Sequence, residues 1–220
     1  MTLQARRLRA DGEATRIRLV EAAGRLFAAG GFAETTSTSI AARAGVPLAS
    51  INYHFGNRGG LYQAVLVEAH RRLIDLADLQ RLAQSEGPAA EKLASLIGRL
   101  VTQATRRRPG WHVNVLVREL LAPSSHVQVL FRSELPPKLA IVGRILSDIT
   151  RIPPDDPALG RCAISVFAPC AMLLIGARGL PGPLQAVRRM PPEVISGHLV
   201  RFALAGLEAI GEGQGRITRP

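Results

Sequence analysis

Apolar residues recur at three- and four-residue spacing along nearly the whole chain, and strict alternation is almost absent. No Asn-Gly turn joins alternating runs, so a sheet has neither its strands nor its hairpins. From Glu13 to Ala29 the stripe is Ile17, Val20, Ala23 and Phe27 with Leu26 beside it, and Gly30-Gly31 ends the helix. Leu61, Val65, Leu66, Ala69, Leu73, Leu76 and Ala77 predict one long helix, broken at Ser85 to Pro88. Leu93 to Ala104, Val113 to Leu121 (with Leu116, Val117 and Leu120) and Leu139 to Ile149 follow, each stopped by Pro or Gly. Leu159 to Leu174 comes next, with a kink expected at Pro169. A Gly/Pro-rich loop from Gly176 to Pro192 precedes a last stripe of Ile195, Leu199, Phe202, Ala203 and Ile210. The pattern predicts an all-α chain of about nine helices.

The 220 residues are 47% hydrophobic, which excludes intrinsic disorder and leaves ample apolar surface for a core. Lys and Arg number 28 against 17 acids, a net charge of +11 that suits a polyanionic partner. Residues 1–72 hold 10 Arg and 5 acids, making this third the denser basic unit. Cys162 and Cys170 are too few for a disulfide framework or a four-cysteine zinc site. The first thirty residues are charged from the start and show no secretory apolar segment. No uninterrupted apolar run reaches the roughly 18 residues that span a bilayer. A cytoplasmic protein without a membrane partner is expected.

Residues 36–55 read TSTSIAARAGVPLASINYHF. Thr36 suits an N-cap, Ile40, Ala41 and Ala44 form a short apolar face, and Gly45 sits where the chain must reverse. Val46 can plug the angle between two helices, and Pro47 suits the first turn of the second. Ile51 and Phe55 then face inward, leaving Leu48, Ala49, Ser50, Asn52, Tyr53 and His54 around the outside. This spacing is that of a helix-turn-helix whose second helix enters a major groove. Ser50 and Asn52 can bond base edges, and Leu48 and Ala49 can touch a thymine methyl. Tyr53, His54, Thr36, Thr38, Arg58 and the N-terminal arginines are assigned to phosphates and groove walls. On spacing alone, an ordinary corner between short helices with a polar outer face stays open.

The stretch from Thr15 to about Glu68 resembles the DNA-binding domain of the TetR/AcrR family of bacterial transcriptional regulators. LVEAAGRLFAAGGF and TSTSIAARAGVPLASINYHFGNRGGLYQAVL carry the resemblance, above all INYHF followed by Gly56, Arg58, Leu61 and Tyr62. PLASINYHFGNRGGLYQAV, with Arg118-Glu119 and Pro123-Ser124, is similar to the branch with a CecR-like C-terminal domain. Arg58 stands where the family usually has Lys, and Gly59 and Ser39 where it commonly has acids. Losing those acids is expected to weaken helix capping by ~1 kcal/mol. The resemblance implies residues 12–72 as the DNA-binding domain and 73–220 as a helical ligand-binding and dimerisation domain. It also implies a homodimer on a palindromic double-stranded operator, most simply a repressor released by a small-molecule effector.

Candidates for the effector pocket are Trp111, His112, Val115, Arg118, Glu119, Phe131, Val166, Phe167, Cys170 and Met172, mostly apolar with a few polar groups. The dimer interface is assigned to 158–176 and 192–211, where Ile164, Ala168, Leu204 and Leu207 lie off the main stripes. The alternative is that this surplus packs on the 136–150 helix within one chain. His54, His70, His112, His126 and His198 are scattered and form no metal or catalytic motif. No catalytic residue, metal or cofactor is expected. Core packing suits the two cysteines, with redox sensing as the alternative. Arg106 to Arg108 read as a solvated helix end rather than a second nucleic-acid patch. Gly211, Gly213 and Gly215 read as a frayed tail, since no strand precedes them. An all-helical enzyme or small-molecule carrier with an incidental helix corner is the competing class.

Overall fold

The computed structural model describes residues 3–176 and 182–217, with side chains over 11–176 and 182–213. The side chains of Arg6, Arg7 and Arg9 and the centre of the 176–192 loop lie outside the described residues. In chain order the helices are α1 (Leu3–Glu34), α2 (Ser37–Ala44), α3 (Ala49–Phe55), α4 (Arg58–Leu73), α5 (Leu76–Gln84) and α6 (Ala89–Thr105). Then come α7 (Trp111–Leu121), a 3-10 turn (Ser125–Val127), a π-helical turn (Leu130–Glu134), α8 (Leu135–Thr150), α9 (Pro157–Gly176), α10 (Pro183–Arg188) and α11 (Pro192–Ile217). Among the described residues there is no strand, as the periodicity required.

The helix count exceeds the expected nine for two local reasons. The stripe through Leu61 to Ala77 is two helices, because Asp75 caps α5 by accepting from the Asp78 amide at 3.0 Å. The loop after Gly176 also holds α10, which Pro183 opens at its first turn. Gly31 breaks α1 with φ 81°, close to the Gly30-Gly31 stop. The glycine-rich end, expected to fray, instead continues α11, where a Cβ on Gly211 would lie 2.4 Å from the Thr150 carbonyl oxygen.

The chain divides into two compact units. The first is 1–73 with 110–134, and the second is 74–109 with 135–220. The expected division at 72/73 therefore differs in one respect: α7 and the turns after it belong to the first unit. There they lie against α1 and α4, and Val113, Val115 and Val117 join Leu19, Ala23, Phe27, Leu61, Val65, Leu66 and Ala69 in one core. Each Val, Leu or Phe among them contributes about 1.5–3 kcal/mol on full burial. Ile17 is exposed, so α1 turns Leu19 and Ala22 inward in its place. Leu120 and Leu121 are likewise exposed.

In the second unit α6 is central and packs on α8, α9 and α11. Leu93, Ile97 and Val101 meet Ile145, Leu146, Leu159, Cys162, Cys170, Ile195, Ala203 and Leu207 in its core. Both thiols are free and buried, and burial pushes the Cys170 thiol up to about 11, which suits the packing role. Arg106 to Arg108 are exposed, as a solvated helix end requires.

Candidate nucleic-acid interface

The α2–α3 corner is built from local chemistry. Thr36 caps α2: its hydroxyl accepts from the Ser39 amide at 3.1 Å, and Ser39 Oγ donates back to the Thr36 carbonyl at 2.8 Å. Ile40, Ala41 and Ala44 are buried as their spacing demanded. Gly45 ends α2 at φ 64°, a left-handed conformation that costs a side chain about 1–2 kcal/mol and costs glycine little. Val46 is half-buried and its amide donates to the Ala41 carbonyl at 3.1 Å, completing the reversal. Pro47 sits just ahead of α3, its carbonyl accepting from the Ser50 amide at 3.0 Å. Gly60 lets α4 pass the end of α3, since a Cβ there would lie 2.1 Å from the Phe55 carbonyl oxygen.

α3 buries Ile51 and leaves its remaining faces open. Leu48, Ala49, Asn52 and Tyr53 are exposed, Tyr53 to 85%, with Ser50 half-exposed. The Tyr53 ring meets His54 edge-on and otherwise stands in solvent. Thr36 and Thr38 are exposed at the start of α2, beside free amides that favour an anion. His54 is half-buried: its ring stands 3.9 Å from where a Cβ on Gly12 would lie, and edge-on to Tyr53. It braces α3 on α1 more than it faces outward. Phe55 is half-buried, with the Arg16 guanidinium 5.7 Å from its ring centre.

Arg58, assigned to phosphate, is also held within its own unit. Its Nη1 donates to the Thr35 carbonyl at 2.6 Å, and its guanidinium carbon lies 4.3 Å from the centre of the Phe32 ring. Phe32 itself stacks with Phe27, Tyr62 and His126. Sequence spacing gives no sign of this cluster, because His126 arrives from the far side of α7.

The ten residues assigned to an effector pocket divide between the two units. In the first unit Trp111 Nε1 donates to Glu21 at 3.0 Å, and Arg118 donates to the carbonyls of Ala28 and Ala29 at 3.0 and 2.5 Å. Glu119 accepts from Tyr62 at 2.6 Å and from the amide and hydroxyl of Ser124 at 2.9 Å. Trp111, Arg118 and Glu119 thus tie α7 to α1 and α4, where a pocket role was expected. His112 and Val115 are buried on α7, and Phe131 is exposed on the π-helical turn. In the second unit Val166 and Cys170 are buried in the core, and Phe167 is half-buried. Met172 lines an apolar groove of about 560 Å³ between α9, α10 and α11, with Pro169, Leu184, Val187, Met190 and His198. Among the described residues, no group of three or more His, Cys, Asp or Glu could hold a metal ion.

Residues 19–65 match the bacterial regulatory proteins of the tetR family, and residues 89–207 match the C-terminal domain of the HTH-type transcriptional dual regulator CecR. The chain belongs to the tetR family. Residues 19–65 carry that family's N-terminal domain, and residues 89–207 carry a CecR-like C-terminal domain. This tetR-family chain is 36% identical over 109 residues to the HTH-type transcriptional regulator TtgR of Pseudomonas putida, covering 47% of this chain and 50% of that protein. It thus spans about half the length of the curated relatives it matches. The fold is shared with FadR of Bacillus subtilis, solved in complex with stearoyl-CoA, at TM-score 0.67, 16% identity and coverage of 86% and 98% of the two chains. FadR of Bacillus halodurans has TM-score 0.66 and 15% identity, with 86% and 97% covered.

Proposed function

We propose that this regulator is a cytoplasmic homodimeric repressor that reads a palindromic operator with α3 and is released by a small-molecule effector held in the second unit. The observation that carries the reading is the outer face of α3, where Leu48, Ala49, Asn52 and Tyr53 stand open on a helix anchored by Ile51. Side chains of that size and polarity suit base edges and thymine methyls in a groove about 12 Å wide. Residues 12–72, joined by 110–134, act as the reading unit, and Thr36 and Thr38 add phosphate contacts at the start of α2.

The same reading assigns the exposed apolar sides of α9 and α11 to the dimer. α9 and residues Pro192–Gly213 of α11 are long and apolar enough to cross a bilayer by length and composition. Ile164 is 71% exposed and Phe202 is 72% exposed. A two-fold mate covers such faces in a four-helix bundle without any membrane. The effector is taken to be largely apolar: the α9–α11 groove supports this, as does the stearoyl-CoA of the Bacillus subtilis relative in fold.

Selection of duplexes from a random-sequence library by the full chain tests the reading. An enriched inverted repeat, released on titration with stearoyl-CoA or another apolar ligand, is the expected result. Enrichment of unrepeated half-sites would overturn the palindrome and the dimer on it. Release by no apolar ligand, with sites still bound, would overturn the effector class alone.

A further inference from the structure

A cation at the first residue of a helix faces the positive end of the helix dipole, so Arg58 at the start of α4 needs a local reason. Phosphate binding is one reason, and the geometry supplies another. The free amides of α4 are partly occupied already: Asn57 Oδ1 accepts from the Gly60 amide at 2.9 Å, and the Asn57 carbonyl accepts from Leu61 at 3.1 Å. The guanidinium is held twice on the α1–α2 junction, through the Thr35 carbonyl at 2.6 Å and the Phe32 ring at 4.3 Å. Thr35 is buried, directly precedes the N-cap Thr36, and anchors its own hydroxyl on the Gly31 carbonyl at 2.7 Å. Phe32 is fixed in turn by Tyr62 at 4.9 Å and His126 at 4.8 Å between ring centres.

We propose that Arg58 is a positioning residue for DNA recognition, tying the Thr35 carbonyl to the start of α4 and so setting the direction in which α2 leaves its N-cap. The α2–α3 corner follows α2, because Gly45 and Val46 close it with hydrogen bonds to Ala41 and Ala42. The proposal rests on the reading of this corner as the DNA face. A planar guanidinium gives an edge N–H to a carbonyl while its flat face stacks on a ring, a fixed two-point hold that a compact, freely rotating lysine ammonium does not reproduce. The role therefore depends on the shape of the group as well as on its charge.

Arg58→Lys and Arg58→Gln in the full chain separate the two roles. The probe is a duplex enriched by the wild-type protein from a random library, with an unselected duplex beside it. Affinities are measured over a range of KCl, at a temperature where circular dichroism shows each variant folded. Positioning predicts that both variants lose roughly tenfold on the enriched duplex, the scale of one net hydrogen bond, with the salt dependence unchanged. The unselected duplex should bind Arg58→Lys as it binds wild type. A phosphate contact predicts instead that Arg58→Lys binds the enriched duplex like wild type, and that Arg58→Gln lowers the log–log salt slope by about 0.9 per bound protomer, about 1.8 for a dimer. Either of those results overturns the proposal. Hydrogen exchange of the free protein gives a second readout: Arg58→Lys should speed exchange of the Ser39 and Ile40 amides in the first turn of α2, and unchanged rates would also overturn it. Should wild type enrich no duplex, the DNA-face reading fails, and exchange alone decides the tie.

Discussion

Tyr62 of α4 donates its phenol to the Glu119 carboxylate of α7 at 2.6 Å, deep in the first unit. Glu119 is only 6% exposed and is otherwise bonded to the amide and hydroxyl of Ser124. A buried carboxylate costs several kcal/mol unless donors surround it, so Glu119 helps fix α7 and its following turn on α4 only while Tyr62 and Ser124 satisfy it.

Tyr62→Phe should cost about 1.5–3 kcal/mol of the first unit's stability, the usual worth of a hydrogen bond to a charged group. Burial first, and then the bond to Glu119, push the Tyr62 pKa well above its ordinary value. A group whose folded pKa is raised stabilises fully below its unfolded value of about 10 and loses that contribution as pH climbs further. Urea unfolding of wild type should therefore weaken above about pH 10, and Tyr62→Phe should flatten that decline. An unchanged alkaline decline in the variant would contradict the assignment.

Asn52→Ala removes an exposed amide from α3 and nothing from the core. Binding to an enriched duplex should weaken by roughly 1–3 kcal/mol, while binding to random DNA stays the same. Equal losses on both, measured by fluorescence anisotropy, would show that Asn52 does not read bases.

Phe202→Glu and Ile164→Glu place charges on the open sides of α11 and α9. In an isologous interface each charge meets its own copy, so sedimentation should show monomers with a native circular dichroism spectrum. Leu207→Glu should instead unfold the chain. Leu207, first assigned to the interface, is 2% exposed and belongs to the subunit's own core, and Leu204 is half-buried. Dimers that survive both surface substitutions would place the interface elsewhere.

Arg188 donates to the Ala104 carbonyl at 2.8 Å and to the Gly176 carbonyl at 3.3 Å, joining the C-terminal ends of α6 and α9. Burial lowers its pKa from the ordinary arginine value, but those partners suit a cation at two negative helix ends. Arg188→Met keeps the stem and removes the donors. A loss of about 1.5–3 kcal/mol is expected by thermal unfolding, partly relieved at Gly176 because Gln185 also donates there at 3.0 Å. No change in melting would show the contact to be idle.

The helix-turn-helix was legible in the sequence because its causes lie within a few residues of each other. Thr36 reaches Ser39, Gly45 takes the left-handed turn, and Ile40 and Ile51 fall on the spacing that buries one face. The longer stripes showed less. Ile17 and Leu19 are both apolar neighbours on α1, and period alone does not say which one the core selects. Leu61 to Ala77 kept helical spacing through a break made by Asp75, whose cap is a single side-chain bond.

The sequence by itself determined an all-helical chain with a helix-turn-helix corner, since periodicity, caps and turn residues act over three or four positions. Only the tertiary structure decided that α7 joins the first unit, that Glu119 bonds Tyr62 and Trp111 bonds Glu21, and that Arg58 grips Thr35 and Phe32. An amphipathic stripe records that one face leaves water, but not which distant face covers it. Burial energy scales with area and carries no address, so partners 57 or 90 residues apart, such as Tyr62 with Glu119 and Glu21 with Trp111, are chosen by packing and polar satisfaction in three dimensions.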